Sequence, residues 1–311
     1  MPKAYSKINI YDQIASNKRK TWIFLILFVL FIVLVGYVFG MAMSDDALGP
    51  MGVFGVIAIF FGIMGYFFSG NMVMAVSRAK QIKKEDNPEL FRVVENMSIA
   101  AGIPQPKVYI IDDSAPNAFA AGRDPKHAMV AVTTGLLDKL ERTELEGVIA
   151  HEISHIRNYD VKLMSLVAIL AGTVALLSDI FLRWTFWGGG RRRSKSDGGG
   201  QLQLIMFVVA IALALLAPLI AVIIKMEISR KREYLADASG AMLTRYPEGL
   251  ARALEKISLD KEPLEAANKA TAHMYIINPL KEFKGSPRGW FSGMFQTHPP
   301  VEERIAALRA M

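Results

Sequence analysis

Residues 21–44 read TWIFLILFVLFIVLVGYVFGMAMS, and residues 47–77 read ALGPMGVFGVIAIFFGIMGYFFSGNMVMAVS; neither stretch holds a charged side chain. A helix rises 1.5 Å per residue, so about 20 apolar residues cross the roughly 30 Å hydrocarbon core of a bilayer. Both stretches exceed that length and are expected to be membrane helices. A third run, LQLIMFVVAIALALLAPLIAVII at 202–224, is also long enough. The stretch 163–182 is weaker, because Ser165, Ser178 and Asp179 interrupt it. The expectation is therefore two to four transmembrane helices. The opening MPKAYSKINI does not read as a cleavable leader, since the apolar run after it is too long and no small-residue cleavage site closes it.

Working outward, composition and charge narrow the classes further. The 311 residues carry 52% hydrophobic side chains, and the mean hydropathy is +0.28, which excludes a disordered chain. There is no cysteine. That removes disulfide scaffolds, cysteine nucleophiles and thiolate metal sites, so any metal is held by His, Asp or Glu. The net charge of +7 would by itself allow nucleic acid. Its placement says otherwise. Lys18, Arg19 and Lys20 precede the first run, only Asp45 and Asp46 separate it from the second, and Arg78, Lys80, Lys83 and Lys84 follow. The positive-inside rule puts the N-terminus and the chain after Arg78 in the cytoplasm, and no nucleic-acid partner is expected. Arg183, Arg191, Arg192, Arg193 and Lys195 oppose that rule if both later runs cross. Either the first two spans dominate the orientation, or the later pair is a hairpin that does not fully cross or is partly held within protein. Both return the chain to the same side, and the glycines at 188–190 and 198–200 mark the loop as a linker.

Two polar segments remain. In the first, Pro88–Ala101 has Leu90, Val93, Val94 and Met97 at helical spacing, with Gly102 as a stop. Lys107–Ile111 (KVYII) and Ala128–Val132 read as short strands. Thr143 to Glu146 reads as a capping box that opens a helix through LEGVIAHEISHIRN.

That helix contains His151-Glu152-Ile153-Ser154-His155. Residues four apart share a helical face, so two imidazoles can meet one ion at zinc–nitrogen distances of ~2.0–2.1 Å. Glu152 is placed to touch a water on that ion and to take its proton. A third ligand is wanted. The HExxHxxGxxH pattern is excluded by Asn158 and Val161, so the natural source is a carboxylate from another helix. After the last apolar run comes SRKREYLAD, where Glu233 and Asp237 are again four apart. One can ligate while the other accepts the N–H of a ligand imidazole. The plain alternative is a solvated face on which Glu233 pairs with Arg230.

HEISH, followed after a long apolar interval by SRKREYLAD, resembles the HtpX family of membrane-bound zinc metalloproteases, relatives of the CAAX prenyl proteases. The resemblance extends to PNAFA at 116–120, to VTTGLL at 132–137, and to His298-Pro299-Pro300 with Glu303 and Arg304. It implies a mainly helical α+β membrane protein, with a zincin-like catalytic domain around a small β-sheet. It implies His151, His155 and Glu233 as ligands of one Zn2+ per chain, Glu152 as general base and acid, and Asp237 as the partner of a ligand histidine. Asn117, Ala118, Phe119 and Ala120 resemble an edge strand that pairs with an extended substrate. His298 and Arg304 are similar to an element near the metal, acting on the oxyanion or as a latch. The other reading of that element is a helix start, with Pro299 and Pro300 in its first turn and Glu302 and Glu303 on its dipole.

The chain then divides into a cytoplasmic N-terminus (1–20), two transmembrane helices (21–77), a first catalytic part (78–160), two further apolar segments around the Gly/Arg loop (161–226) and a second catalytic part (227–311). The expected activity, by resemblance, is hydrolysis of misfolded or damaged membrane proteins, or other unfolded polypeptides, at the cytoplasmic face of the inner membrane. The lipid bilayer is the expected surrounding. Alternatives are a catalytically silent membrane adaptor and a CAAX-type processing enzyme. Retention of Glu152 argues against the first, and the short chain against the second.

Overall fold

The computed structural model describes residues 10–43, 48–170, 172–173, 230–260, 262–265, 271–277 and 299–311. Helix α1 (Ile10–Met43) and helix α2 (Leu48–Val76) carry the first two apolar runs. They lie antiparallel. Gly36 of α1 sits against Phe54, where an added Cβ would approach the Phe54 side chain to 2.5 Å, and Leu25 lies opposite Gly62. Among the described residues, the stretches long and apolar enough to cross a membrane are Ile14–Tyr37 and Leu48–Val76. Their outer faces leave Trp22, Ile26, Leu30, Val56 and Phe60 more than half exposed, as lipid contact permits and water does not. The later run 202–224 lies outside the described residues, as does half of 163–182; residues 160–170 are helical.

Four strands form one sheet in the order β1-β2-β4-β3, with β1 Lys80–Gln81, β2 Lys107–Ile111, β3 Ala118–Gly122 and β4 Ala128–Thr133. β2 and β4 run parallel; β3 is an edge strand antiparallel to β4, with Ala118 opposite Val132 and Ala120 opposite Val130. Alternation sorts the side chains to two faces. Ala118, Ala120, Val130 and Val132 join the core built by the helices that follow. Phe119, Ala121, Met129 and Ala131 pack with Val73 and Met74 of α2 and with Met164 and Ala168. The sheet thus lies between the ends of the membrane helices and the polar half of the molecule.

Helix α3 (Pro88–Ala101) has the predicted bounds. Asn87 caps it by accepting from Leu90 N at 3.0 Å, and Gly102 closes it in a left-handed conformation at φ 68°. After the short α4 (Thr134–Lys139) comes α5 (Arg142–Arg157), the motif helix. It starts earlier than the expected Thr143 cap. The capping box is made by Glu141 and Glu144, whose carboxylate accepts from Glu141 N at 2.8 Å. Glu144 is buried and also holds Lys256 at 2.7 Å, so packing against the second polar segment selects it over Glu146. α5 is covered on every side: Val148, Ile149, Ile153 and Ile156 are fully buried, each contributing about 1.5–3 kcal/mol. Its neighbours include α6 (Arg230–Thr244) and α7 (Pro247–Leu259), with the C-terminal α8 (Val301–Arg309) packed on both.

Candidate metal centre

α5 presents His151 and His155 on one face, and α6 crosses that face. Gly240 permits the approach: a Cβ there would lie 3.1 Å from His151 N. This brings Glu233 of α6 opposite the imidazoles. His151 Nε2 and His155 Nε2 are 3.2 Å apart, and the Glu233 oxygens lie 3.7 Å and 3.6 Å from them. All three donors are buried, and their atoms lie within 4.8 Å of one another. Ligands on a tetrahedral ion at zinc–nitrogen distances of ~2.0–2.1 Å are separated by about 3.3 Å. The spacing observed here is of that size.

The remaining ring nitrogens are occupied. His151 Nδ1 donates to Asp237 Oδ1 at 2.9 Å, and His155 Nδ1 donates to Asp160 Oδ2 at 3.0 Å. Both Nε2 atoms therefore turn toward each other and toward a carboxylate. Three acceptors converging in a buried pocket suit a cation. Burial pushes His155 down, but its bond to Asp160 and the charges of Glu233 and Asp160 more than offset this and raise it to about 9. The pocket stabilises positive charge at the point of convergence, and a metal ion binding there displaces the proton. His151 is pushed below its ordinary value by burial, with Asp237 opposing.

Glu152 is 2% exposed. Burial, reinforced by the charge of Glu233, pushes it up to about 7, against the opposing charge of His155 and an N–H bond from Ala120. Its carboxyl thus hovers between the protonated and ionised forms near neutrality, beside the edge strand.

The other expected residues fall as follows. Asp237 is buried, and although burial opposes ionisation, the Arg304 guanidinium and its hydrogen bonds hold it at about 2. Arg304 is itself fully buried and donates from NH1 to the carbonyl of Ile276 at 2.9 Å. Asn117 donates from Nδ2 to Ile277 O at 3.0 Å. The outward carbonyl of Ala118 accepts from Ile276 N at 3.0 Å, and Ala120 N–H faces Glu152. Phe119 points to the opposite face, its ring 4.8 Å from that of Tyr275. His298 lies outside the described residues; Pro300 caps α8, whose first turn holds Glu302 and Glu303.

Asp160 was not among the expected site residues. It follows Tyr159, whose φ of 61° breaks the chain between α5 and the next helix and turns the carboxylate back on His155. The only signal was an acidic residue five positions past the second histidine.

Residues 84–311 match the family model described as "Peptidase family M48". The chain belongs to this family. Within it, the chain is 47% identical over 303 residues to a "Protease HtpX homolog" of Dictyoglomus thermophilum, covering 97% of this chain and 94% of that one. It is 46% identical over 308 residues to one of Listeria monocytogenes serotype 4a, covering 97% and 100%. The crystal structure of S. mikatae Ste24p is similar in fold, with a TM-score of 0.50 at 19% identity over 93% of this chain; the match spans 66% of that protein. The protein is thus a metallopeptidase of family M48 and of HtpX type, mainly helical with a small four-stranded sheet and two candidate membrane helices. The His151, His155 and Glu233 cluster is consistent with the zinc site of an M48 enzyme.

Proposed function

We propose that this M48 protease is an integral endopeptidase of the inner membrane that cuts misfolded or damaged membrane proteins at the cytoplasmic face, with one zinc per chain. The reading is carried by one observation: two imidazole Nε2 atoms 3.2 Å apart face the Glu233 carboxylate while both Nδ1 atoms are held by aspartates. Zinc bound by His151, His155 and Glu233 supplies Lewis acidity and a lowered pKa for water.

The rest is work for the protein. Glu152 takes the proton of the attacking water on a carboxylate oxygen and later gives it to the amine nitrogen that leaves. Its burial, which raises it above the ordinary carboxylate range, suits a group that must both accept and return a proton. Asp237 and Asp160 fix the tautomer of His151 and His155 and keep each Nε2 available. Arg304 holds Asp237 in place. β3 lies at the sheet edge beside Glu152, which suits pairing with the main chain of an extended substrate at residues 117–120. Ala118 C=O and Ala120 N–H then exchange their present partners, Ile276 N–H and Glu152, for the substrate backbone. Reading the backbone rather than side chains suits clients of many sequences.

The cytoplasmic orientation is supported by Lys18, Arg19 and Lys20 at the start of the first apolar run and Arg78, Lys80, Lys83 and Lys84 beyond the second.

The test is Glu152→Gln in the full-length protein. It should retain zinc and lose about 10²–10⁴ of the cleavage rate on an unfolded membrane substrate. Cleavage at the wild-type rate would overturn the mechanism. Zinc retention with no cleavage by the wild type would favour the silent adaptor instead.

A further inference from the structure

We propose that Asn17, on the first membrane helix, is a positioning residue of the metal centre that acts through Asp160 on His155. The inference rests on the reading of His155 as a metal ligand. Asn17 is 1% exposed, although Lys18 and Arg19 beside it are exposed. Its Nδ2 donates to Asp160 Oδ1 at 2.8 Å and to the carbonyl of Asn158 at 3.1 Å. Both hydrogens of the amide are thereby used. The other oxygen of Asp160, Oδ2, accepts the His155 Nδ1 hydrogen at 3.0 Å. The carboxylate is clamped between an amide of the membrane helix and an imidazole of the motif helix. Arg232 NH1, 3.6 Å from Oδ1, adds positive charge on the Asn17 side.

A neutral donor suits this position. It fixes the rotation of the carboxylate without adding a second positive charge beside that of Arg232, so Oδ2 stays aimed at the imidazole hydrogen. The bond to Asn158 O has a second effect. It braces the turn at Tyr159, whose positive φ is uncommon for a residue with a side chain. Lys18 reinforces the same turn, its ammonium lying 4.5 Å from the centre of the Tyr159 ring. The start of α1 thus holds the break in the chain that aims Asp160 at His155. The first membrane helix is more than an anchor: where it sits relative to α5 sets the orientation of a ligand.

The experiment uses the full chain purified in detergent, as wild type, Asn17→Leu, Asn17→Ala, Asp160→Ala, His155→Ala and the double variant Asn17→Leu/Asp160→Ala. Asn17→Leu keeps the volume and removes both donors. The readouts are the rate at which zinc is lost to a chromophoric chelator, the melting of the metal-free form, and kcat and KM on a peptide. Outer partners of ligand histidines are worth about 10–100-fold, and a residue one step further out should be worth roughly 3–10-fold. Zinc release from both Asn17 single variants should be faster by that factor, with kcat lowered and KM unchanged. In the Asp160→Ala background, Asn17→Leu should add nothing. The proposal is overturned if folded Asn17→Leu releases zinc at the wild-type rate, or if the same factor is lost again without Asp160. It is also overturned if neither Asn17 variant folds, since Asn17 is then a residue of stability. Wild type without zinc, or zinc binding undiminished in His155→Ala, breaks the ligand reading itself.

Discussion

Arg304 grips Asp237 with two hydrogen bonds, Nε to Oδ2 at 2.8 Å and NH2 to Oδ1 at 2.6 Å, across 67 residues of sequence and with both side chains buried. Asp237 in turn holds His151. The last helix of the chain is therefore fastened to the metal centre by a fork that lysine cannot reproduce. Arg304→Lys should keep the fold and weaken zinc binding by roughly 10-fold, read by competition with a chelator. Arg304→Met should cost about 3–5 kcal/mol of stability, because among the described residues it leaves the buried carboxylate with the imidazole alone for a partner.

The same pair predicts a pH dependence. Asp237 lies at about 2 against an ordinary 3.8, so it stabilises the metal-free fold above pH ~4 and that contribution, about 2 kcal/mol, is lost as pH falls toward 2. In Arg304→Met the aspartate returns toward its ordinary value or beyond. Acid unfolding of the metal-free variant should then begin at higher pH than in wild type. Identical acid midpoints for the two would show that Asp237 owes nothing to Arg304.

Glu233 faces both ring nitrogens from a helix that contributes no other donor to the cluster. Glu233→Ala should lower the zinc content of the purified protein well below that of wild type, and added chelator should abolish cleavage reversibly in the wild type alone. Full zinc occupancy in Glu233→Ala would remove it from the ligand set.

Close helix approach sets the geometry, and two glycines separate its consequences. A Cβ on Gly147 would lie 2.7 Å from the backbone nitrogen of Leu250, and one on Gly240 would lie 3.1 Å from His151 N. Gly147→Ala should cost about 1–3 kcal/mol, seen in thermal melting, because backbone must shift. Gly240→Ala should act mainly on zinc affinity, since the displaced group belongs to a ligand residue. Equal melting temperatures for Gly147→Ala and wild type would contradict the packing described here.

Much of this was legible in the sequence, for reasons that differ by element. α3 has its predicted bounds because Asn87, Pro88 and Gly102 are local signals that act within one turn. β2 and β4 were legible from β-branched runs, and the two membrane helices from length alone. The start of α5 was misread because Glu144 is chosen by Lys256, 112 residues away. Asp160 and Asn17 were missed for the same kind of reason. Their bond spans 143 residues, and Asn17 sits among Lys18, Arg19 and Lys20, where it reads as part of a basic flank. Periodicity finds elements and motifs find ligands, but the groups that orient ligands are assigned only by tertiary contact.

The exposed side of α1 offers the last prediction. Leu25, Phe28, Ile32 and Val35 pack inward with Ala58 and Leu166, whereas Leu30 is 59% exposed on the opposite side. If that side faces lipid, Leu30→Arg opposes insertion by about 2.5–3.5 kcal/mol, the cost of arginine near the middle of a span. The variant should partition less completely into carbonate-washed membranes, while Leu30→Ile should be neutral. If the side faced water, arginine would be harmless or would improve solubility. Full membrane retention of Leu30→Arg with undiminished yield would therefore count against lipid contact at this face. Because Asn17 lies on the same helix, a variant that inserts at an altered depth should also lose zinc faster, linking the membrane position of α1 to the state of the metal centre.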